Sequence, residues 1–195
     1  PSPWVRATAV QNLERSAPGT VDEHVIPLLR DSSRAVRGQA ARVLSGNPEL
    51  SRPGSESGFQ DDYKKALEEY RTGQLALADQ PGAQLNLAVL AASEGRIDAS
   101  EAFYREALRL DPLFIPARFN LAMLYDAQGR RNEAEVELRA AVRDAPELAD
   151  AHYSLGLLLA ADPAQGEAAA DSLVRAAELA PARARVQYNA GLAQQ

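Results

Sequence analysis

Among side chains that could do chemistry, the 195-residue sequence offers two histidines, 27 carboxylates and no cysteine. His24 and His152 lie far apart in the chain without acidic partners at ligand spacing, whereas zinc takes three or four ligands, so no metal site is expected. His24 follows Asp22 and Glu23, which reads as the start of a helix, because carboxylates favour that end of the helix dipole. His152 reads as a partly buried packing residue, and Trp4 as a packing residue of the first helical hairpin. Glu133, Glu135 and Glu137 invite a paired-carboxylate reading. Alternation along a helix scatters them over several faces, however, and Arg130, Arg131 and Arg139 lie within reach as ion-pair partners. The lack of cysteine excludes disulfides, thiolate zinc sites and haem attachment through Cys-x-x-Cys-His within this chain. No Gly-rich phosphate loop, nucleophile elbow or Cys/His pair is present. The sequence therefore predicts no enzyme and no cofactor in this chain.

What remains is a recurring set of amides and rings. Asn86, Asn120 and Asn189, with Ser154 in the third place, recur beside Leu85, Phe119, Tyr153 and Tyr188 and one turn before Val89, Met123, Leu157 and Leu192. Amides both donate and accept, so such a row could pair with the backbone of an extended peptide while the rings meet its side chains. The row needs elements that repeat in register. Leu87, Leu121 and Leu155 are spaced by 34 residues, as are Gly95 and Gly129, Ala107 and Ala141, and Pro112 and Pro146. A third copy carries one extra residue between Asp162 and Gly166, so Ala176 and Pro181 follow Ala141 and Pro146 by 35.

Each copy reads as a helical hairpin. A first helix ends near a glycine, which tolerates the left-handed backbone that closes a helix. A second helix is stopped by the following Asp-Pro or Ala-Pro. Small residues (Ala88, Ala122, Gly156, Gly191 and, opposite, Ala107, Ala141, Ala176) let helices approach, and Tyr104, Leu138 and Leu173 fill the gap between hairpins. Such hairpins are apolar on two faces and must stack.

The pattern resembles the tetratricopeptide repeat, whose small and large residues follow W-x2-L-G-x2-Y…A-x3-F…P. The clearest copy is Leu121-Ala122-x2-Tyr125, Gly129, Ala134-x3-Leu138, Ala141 and Pro146. Departures are Gln84, Arg118, His152 and Gln187 for the tryptophan and Ser100 for the alanine. The resemblance implies a groove lined by first helices, here Leu85, Asn86, Val89, Phe119, Asn120, Met123, Tyr153, Ser154, Leu157, Tyr188, Asn189 and Leu192. Asparagines at this place form a peptide-holding ladder in the repeat domain of O-linked N-acetylglucosamine transferases. The carboxylate clamp of chaperone-binding members needs lysines and an arginine where this chain has Leu85, Val89 and Ser154, so that partner class is not expected.

A shorter repeat opens the chain. Val5-Arg6-x2-Ala9-x3-Leu13 returns 31 residues later as Val36-Arg37-x2-Ala40-x3-Leu44, which resembles short bacterial HEAT repeats, with Asp31 and Arg37 as the best-matched polar pair in a structural role. The expected fold is all-α, a right-handed helical-repeat superhelix (α-solenoid) of HEAT-like hairpins followed by tetratricopeptide hairpins. The expected order is HEAT-like repeats at 1–46, a Gly/Pro/Ser linker at 47–58, a connecting and capping helix at 59–79, and a repeat array at 80–195. That array divides into 81–114, 115–148, 149–183 and a partial copy at 184–195, which reads as a fragment of a longer protein.

Residues 59–195 carry 14 basic against 21 acidic side chains, and no Lys/Arg cluster marks a nucleic-acid surface. No apolar run nears the roughly 20 residues that span a bilayer. The leading functional expectation is a non-catalytic scaffold that binds a protein or peptide, with a homo-oligomer through the terminal repeat as a further expectation. The order of parts also resembles the C-terminal half of certain secreted bacterial multihaem cytochrome-like proteins. That resemblance implies an accessory docking or assembly region, outside the cytoplasm, of a redox protein whose haem domain lies upstream.

Overall fold

The computed structural model describes residues 2–13, 23–45 and 58–193. The linker expected at 47–58 lies, except for Gly58, outside the described residues, as does Asp22. Every regular element among the described residues is helical. In order these are α1 (Pro3–Leu13), a 3₁₀ turn (Ile26–Arg30), α2 (Arg34–Val43), α3 (Gln60–Leu75), α4 (Pro81–Ser93) and α5 (Ile97–Leu110). They are followed by α6 (Ile115–Ala127), α7 (Arg131–Asp144), α8 (Ala149–Leu159), a 3₁₀ turn (Pro163–Gln165), α9 (Gly166–Leu179) and α10 (Ala184–Ala193). The expected class, an all-α helical-repeat solenoid, is the one found. Among the described residues no helix is long and apolar enough to cross a membrane.

The chain divides into two compact units, Pro1–Ser100 and Glu101–Gln195, with the boundary inside α5. In the first unit, α1 packs on α2, α2 on α3, and α3 on α4, while the 3₁₀ turn contacts both α2 and α3. Val10, Val25, Leu29, Ala40, Ala41 and Leu44 form a core that Tyr63 and Ala66 of α3 complete. The helix expected to cap the repeats is thus also part of the N-terminal core. The two halves of the 31-residue repeat are buried unequally. Val36 and Ala40 are fully buried, whereas Val5 is 58% exposed. α2 contacts both α1 and α3.

In the second unit, α6 pairs with α7, α8 with α7 and α9, and α10 with α9. The small residues at the crossings, Ala122, Ala141 and Ala176, are completely buried, and so are the large spacers Leu138 and, nearly, Leu173. Proline stops the second helices as expected: α5, α7 and α9 end at Leu110, Asp144 and Leu179, two residues before Pro112, Pro146 and Pro181.

Gly95 and Gly129 are left-handed, with φ of 72° and 73°. Each closes its helix with a paired motif: Arg96 N–H reaches Ala91 O at 2.8 Å and Gly95 N–H reaches Ala92 O at 3.0 Å, and Arg130 and Gly129 repeat this on Tyr125 and Asp126. The third copy uses its extra residue differently. Asp162 accepts a hydrogen bond from Ala164 N–H at 3.0 Å and caps a 3₁₀ turn instead.

Candidate functional site

The expected groove residues divide between the units. In the first, Leu85, Asn86 and Val89 sit half-buried on α4. Asn86 Nδ2 donates to Gln74 Oε1 of α3 at 2.9 Å, so part of its amide is already engaged.

In the second unit the other nine lie on the first helices of three successive hairpins, α6, α8 and α10. Asn189 Nδ2 donates to the Tyr153 hydroxyl at 2.8 Å, which joins α8 to α10 across 36 residues of sequence and places both on one wall. Tyr153 also packs against the cluster of Leu173, Ala176, Val186 and Ala190, so its ring is braced. Leu157, Tyr188 and Leu192 are 41%, 66% and 50% exposed. Phe119, Asn120, Met123 and Ser154 are half-buried, and among the described residues no hydrogen bond engages the Asn120 amide. Chemically this surface can offer ring faces, aliphatic contact and amide hydrogen bonds.

The four residues standing in place of the repeat tryptophan have a shared task that their sequence positions did not announce. Gln84 donates to Ala78 O at 2.6 Å, Arg118 to Pro112 O at 2.6 Å, and Gln187 to Ala177 O at 2.7 Å. His152 Nε2 meets Pro146 O at 2.9 Å, a contact that requires the proton on Nε2. Each ties a carbonyl preceding its helix to that helix. The common signal was available: all four side chains can donate.

Around Glu101 and along α7 the charged groups serve structure. The Tyr125 hydroxyl accepts from Arg105 at 3.0 Å and donates to Glu101 at 3.2 Å, Arg130 bonds Glu101 at 2.6 Å, and its guanidinium lies 4.2 Å from the Tyr125 ring centre. Burial works to push the Glu101 carboxyl up, but Arg130 and Arg105 together hold it below the ordinary range. Burial pushes the Tyr125 hydroxyl up. The three glutamates of α7 are separated, as expected, with Glu133 on Arg130, Glu135 on Arg139 and Glu137 on Arg118 at 2.8–2.9 Å.

Two N-terminal expectations change. Asp31 and Arg37 do not pair through their charged ends: Arg37 donates to the Asp31 backbone carbonyl at 2.9 Å and grips Glu69 with both edges. The Asp31 carboxylate instead takes Arg6 at 2.8 Å through two bonds, and Ser33 N–H besides. Trp4 is not a packing residue. It is 80% exposed, because α1 turns Ala7 and Val10 into the core and carries Trp4 with Thr8 and Gln11 on another face. That face borders a cleft of about 730 Å³ between α1, α2 and α3, also lined by Gly38, Tyr70 and Leu77.

Stacked antiparallel hairpins with buried small residues at each crossing define a helical-repeat protein whose exposed first helices are its candidate contact surface. Residues 91–161 match the tetratricopeptide repeat family model. The fold is similar to that of MamA, residues 41 to the end, from Desulfovibrio magneticus RS-1 (TM-score 0.55, 20% identity, covering 80% of this chain and 83% of that one). It is similar as well to YrrB, described as a TPR protein with an unusual peptide-binding site (TM-score 0.56, 19% identity, covering 93% and 85%). No curated protein matches in sequence.

Proposed function

We propose that this chain is a non-catalytic scaffold whose second unit holds a peptide or a partner surface on the wall formed by α6, α8 and α10. The observation that carries the reading is the apolar exposure of Leu157, Tyr188 and Leu192 beside the Tyr153–Asn189 pair, since side chains of this size on one wall favour a covering partner. Repeats of this type supply extended binding surfaces, and one structural neighbour is described by its peptide-binding site. In this reading Asn120 and Asn189 hold backbone, and Phe119, Tyr153 and Tyr188 hold side chains. The exposed side of α10 is where a second copy would associate.

The test is calorimetric titration of each partner recovered with the native protein against wild type and Asn120→Ala with Tyr153→Ala. The expected result is a fall in affinity of about tenfold or more, in the range of central aromatic contacts. Unchanged affinity for every partner would remove the wall from consideration.

The N-terminal hairpins are read as HEAT-like on the 31-residue repeat and the burial of Val36, Ala40 and Leu44. The accessory role in a multihaem redox protein rests on the order of parts alone. Its check is the visible spectrum of the natural full-length protein, where a featureless trace would dismiss it.

A further inference from the structure

We propose a second, separate binding site in the first unit: the cleft between α1, α2 and α3 takes an extended peptide segment that carries a carboxylate close to an apolar side chain. The floor is built of small residues, Ala7, Ala35 and Gly38, which leaves a space of about 730 Å³, within the usual size of ligand sites. Gly38 is buried, and a Cβ there would only touch Tyr70 at 3.5 Å, so the floor is level with that ring. The lining of the cleft also includes Trp4, 80% exposed, and Leu77, 45% exposed, two large apolar groups left open to solvent.

Three amides reach this cleft from three successive helices: Gln11 from α1, Gln39 from α2 and Gln74 from α3. The carbonyl oxygens of Gln39 and Gln74 already accept, from Arg42 at 3.0 Å and from Asn86 at 2.9 Å. Among the described residues their N–H donors have no acceptor, which suits the carbonyls of an extended backbone.

Charge selects the occupant. Arg34 lines the cleft and donates to the Glu69 backbone carbonyl at 3.1 Å, yet among the described residues no carboxylate pairs with it. Lys65, which shares an adjoining hollow with Arg34, has none either. The nearby acids are already taken, Glu69 by Arg37 at 2.8 Å and Glu68 by Arg71 at 3.1 Å. In a chain with a net charge of −6, Arg34 in the cleft and Lys65 in the adjoining hollow, with the cleft's own Glu69 held by Arg37, leave a place for an acidic group.

The inference does not depend on the wall of the second unit, and the experiment keeps the two apart. A display library of short random peptides is selected on the intact chain, and affinities are read from the emission of Trp4, the chain's single tryptophan. The expected result is enrichment of peptides with Asp or Glu near an aliphatic or aromatic residue, a shift in Trp4 emission on binding, and a loss of about tenfold or more with Arg34→Glu. Asn120→Ala with Tyr153→Ala should leave these affinities unchanged. Trp4 and Arg34 are both exposed, so Trp4→Ala and Arg34→Glu should keep wild-type helicity by circular dichroism. The proposal is overturned if nothing is enriched over the Trp4→Ala, Arg34→Glu double variant, or if selected peptides lack acidic residues. Indifference of binding to Arg34→Glu, or Trp4 emission that changes only with protein concentration, the sign of a second copy in the cleft, overturns it equally.

Discussion

Ser100 shows how a single residue departs from its repeat. Its equivalents Ala134 and Ala169 are buried without polar groups, while Ser100 is 0% exposed and its hydroxyl has no hydrogen-bond partner among the described residues. A buried hydroxyl left unpaired costs about 1–3 kcal/mol. Ser100→Ala should therefore raise stability by about 1 kcal/mol in urea unfolding. A loss would mean that the hydroxyl has a task on which the wild type depends. Asp31 makes a pH-dependent contribution. Hydrogen bonding from Arg6 holds its carboxyl below the ordinary range, so the folded state binds this proton less readily than the unfolded chain. The stabilisation is present above the unfolded value, about 3.9, and is lost as pH falls through the lower folded value. Unfolding followed between pH 7 and pH 2 should show Asp31→Asn to be less acid-sensitive than wild type. Parallel curves would show that the Arg6 pair carries no linkage.

The same sequence position can be constrained in one helix and free in another. A Cβ on Gly156 of α8 would come within 2.6 Å of Leu173 Cγ and 3.1 Å of the Ala169 carbonyl, so α9 lies directly against that backbone. A Cβ on Gly191 of α10, its equivalent one copy on, would meet nothing within 4 Å among the described residues. Gly156→Ala should destabilise by about 1–3 kcal/mol through overpacking, whereas Gly191→Ala should be neutral or gain up to about 1 kcal/mol of helix propensity. Thermal unfolding of the two variants checks this, and equal effects would mean that α9 can withdraw from α8. The left-handed Gly95 and Gly129 were legible from their places after the first helices. Their missing counterpart in the third copy, where Asp162 caps a 3₁₀ turn, was legible only as an extra residue.

For the molecule as a whole, the two compact units each own a buried core. In stacked hairpins each repeat is stabilised by its neighbours, so damage should stay local. Leu138 is fully buried between hairpins of the second unit, and Leu138→Ala should cost about 2–5 kcal/mol. Hydrogen exchange should then quicken in α6 to α8 and remain close to wild type in α1 to α3. Uniform loss of protection throughout would show that the chain unfolds as one body.

Periodicity was enough to read the helical hairpins, the positions of their small and large core residues, and the proline stops, because each of these is a local or nearest-neighbour requirement that returns with every copy. Tertiary structure decided the rest. Arg6 and Arg37 sit at matching places in the short repeat, yet one meets Asp31 and the other Glu69. Val5 was left outside the core and Val36 drawn in, because α1 and α2 have different neighbours. Asn189 found Tyr153 across two hairpins. Spacing records which face of a helix a residue occupies, but what stands opposite that face depends on helices distant in sequence, and only packing brings them there.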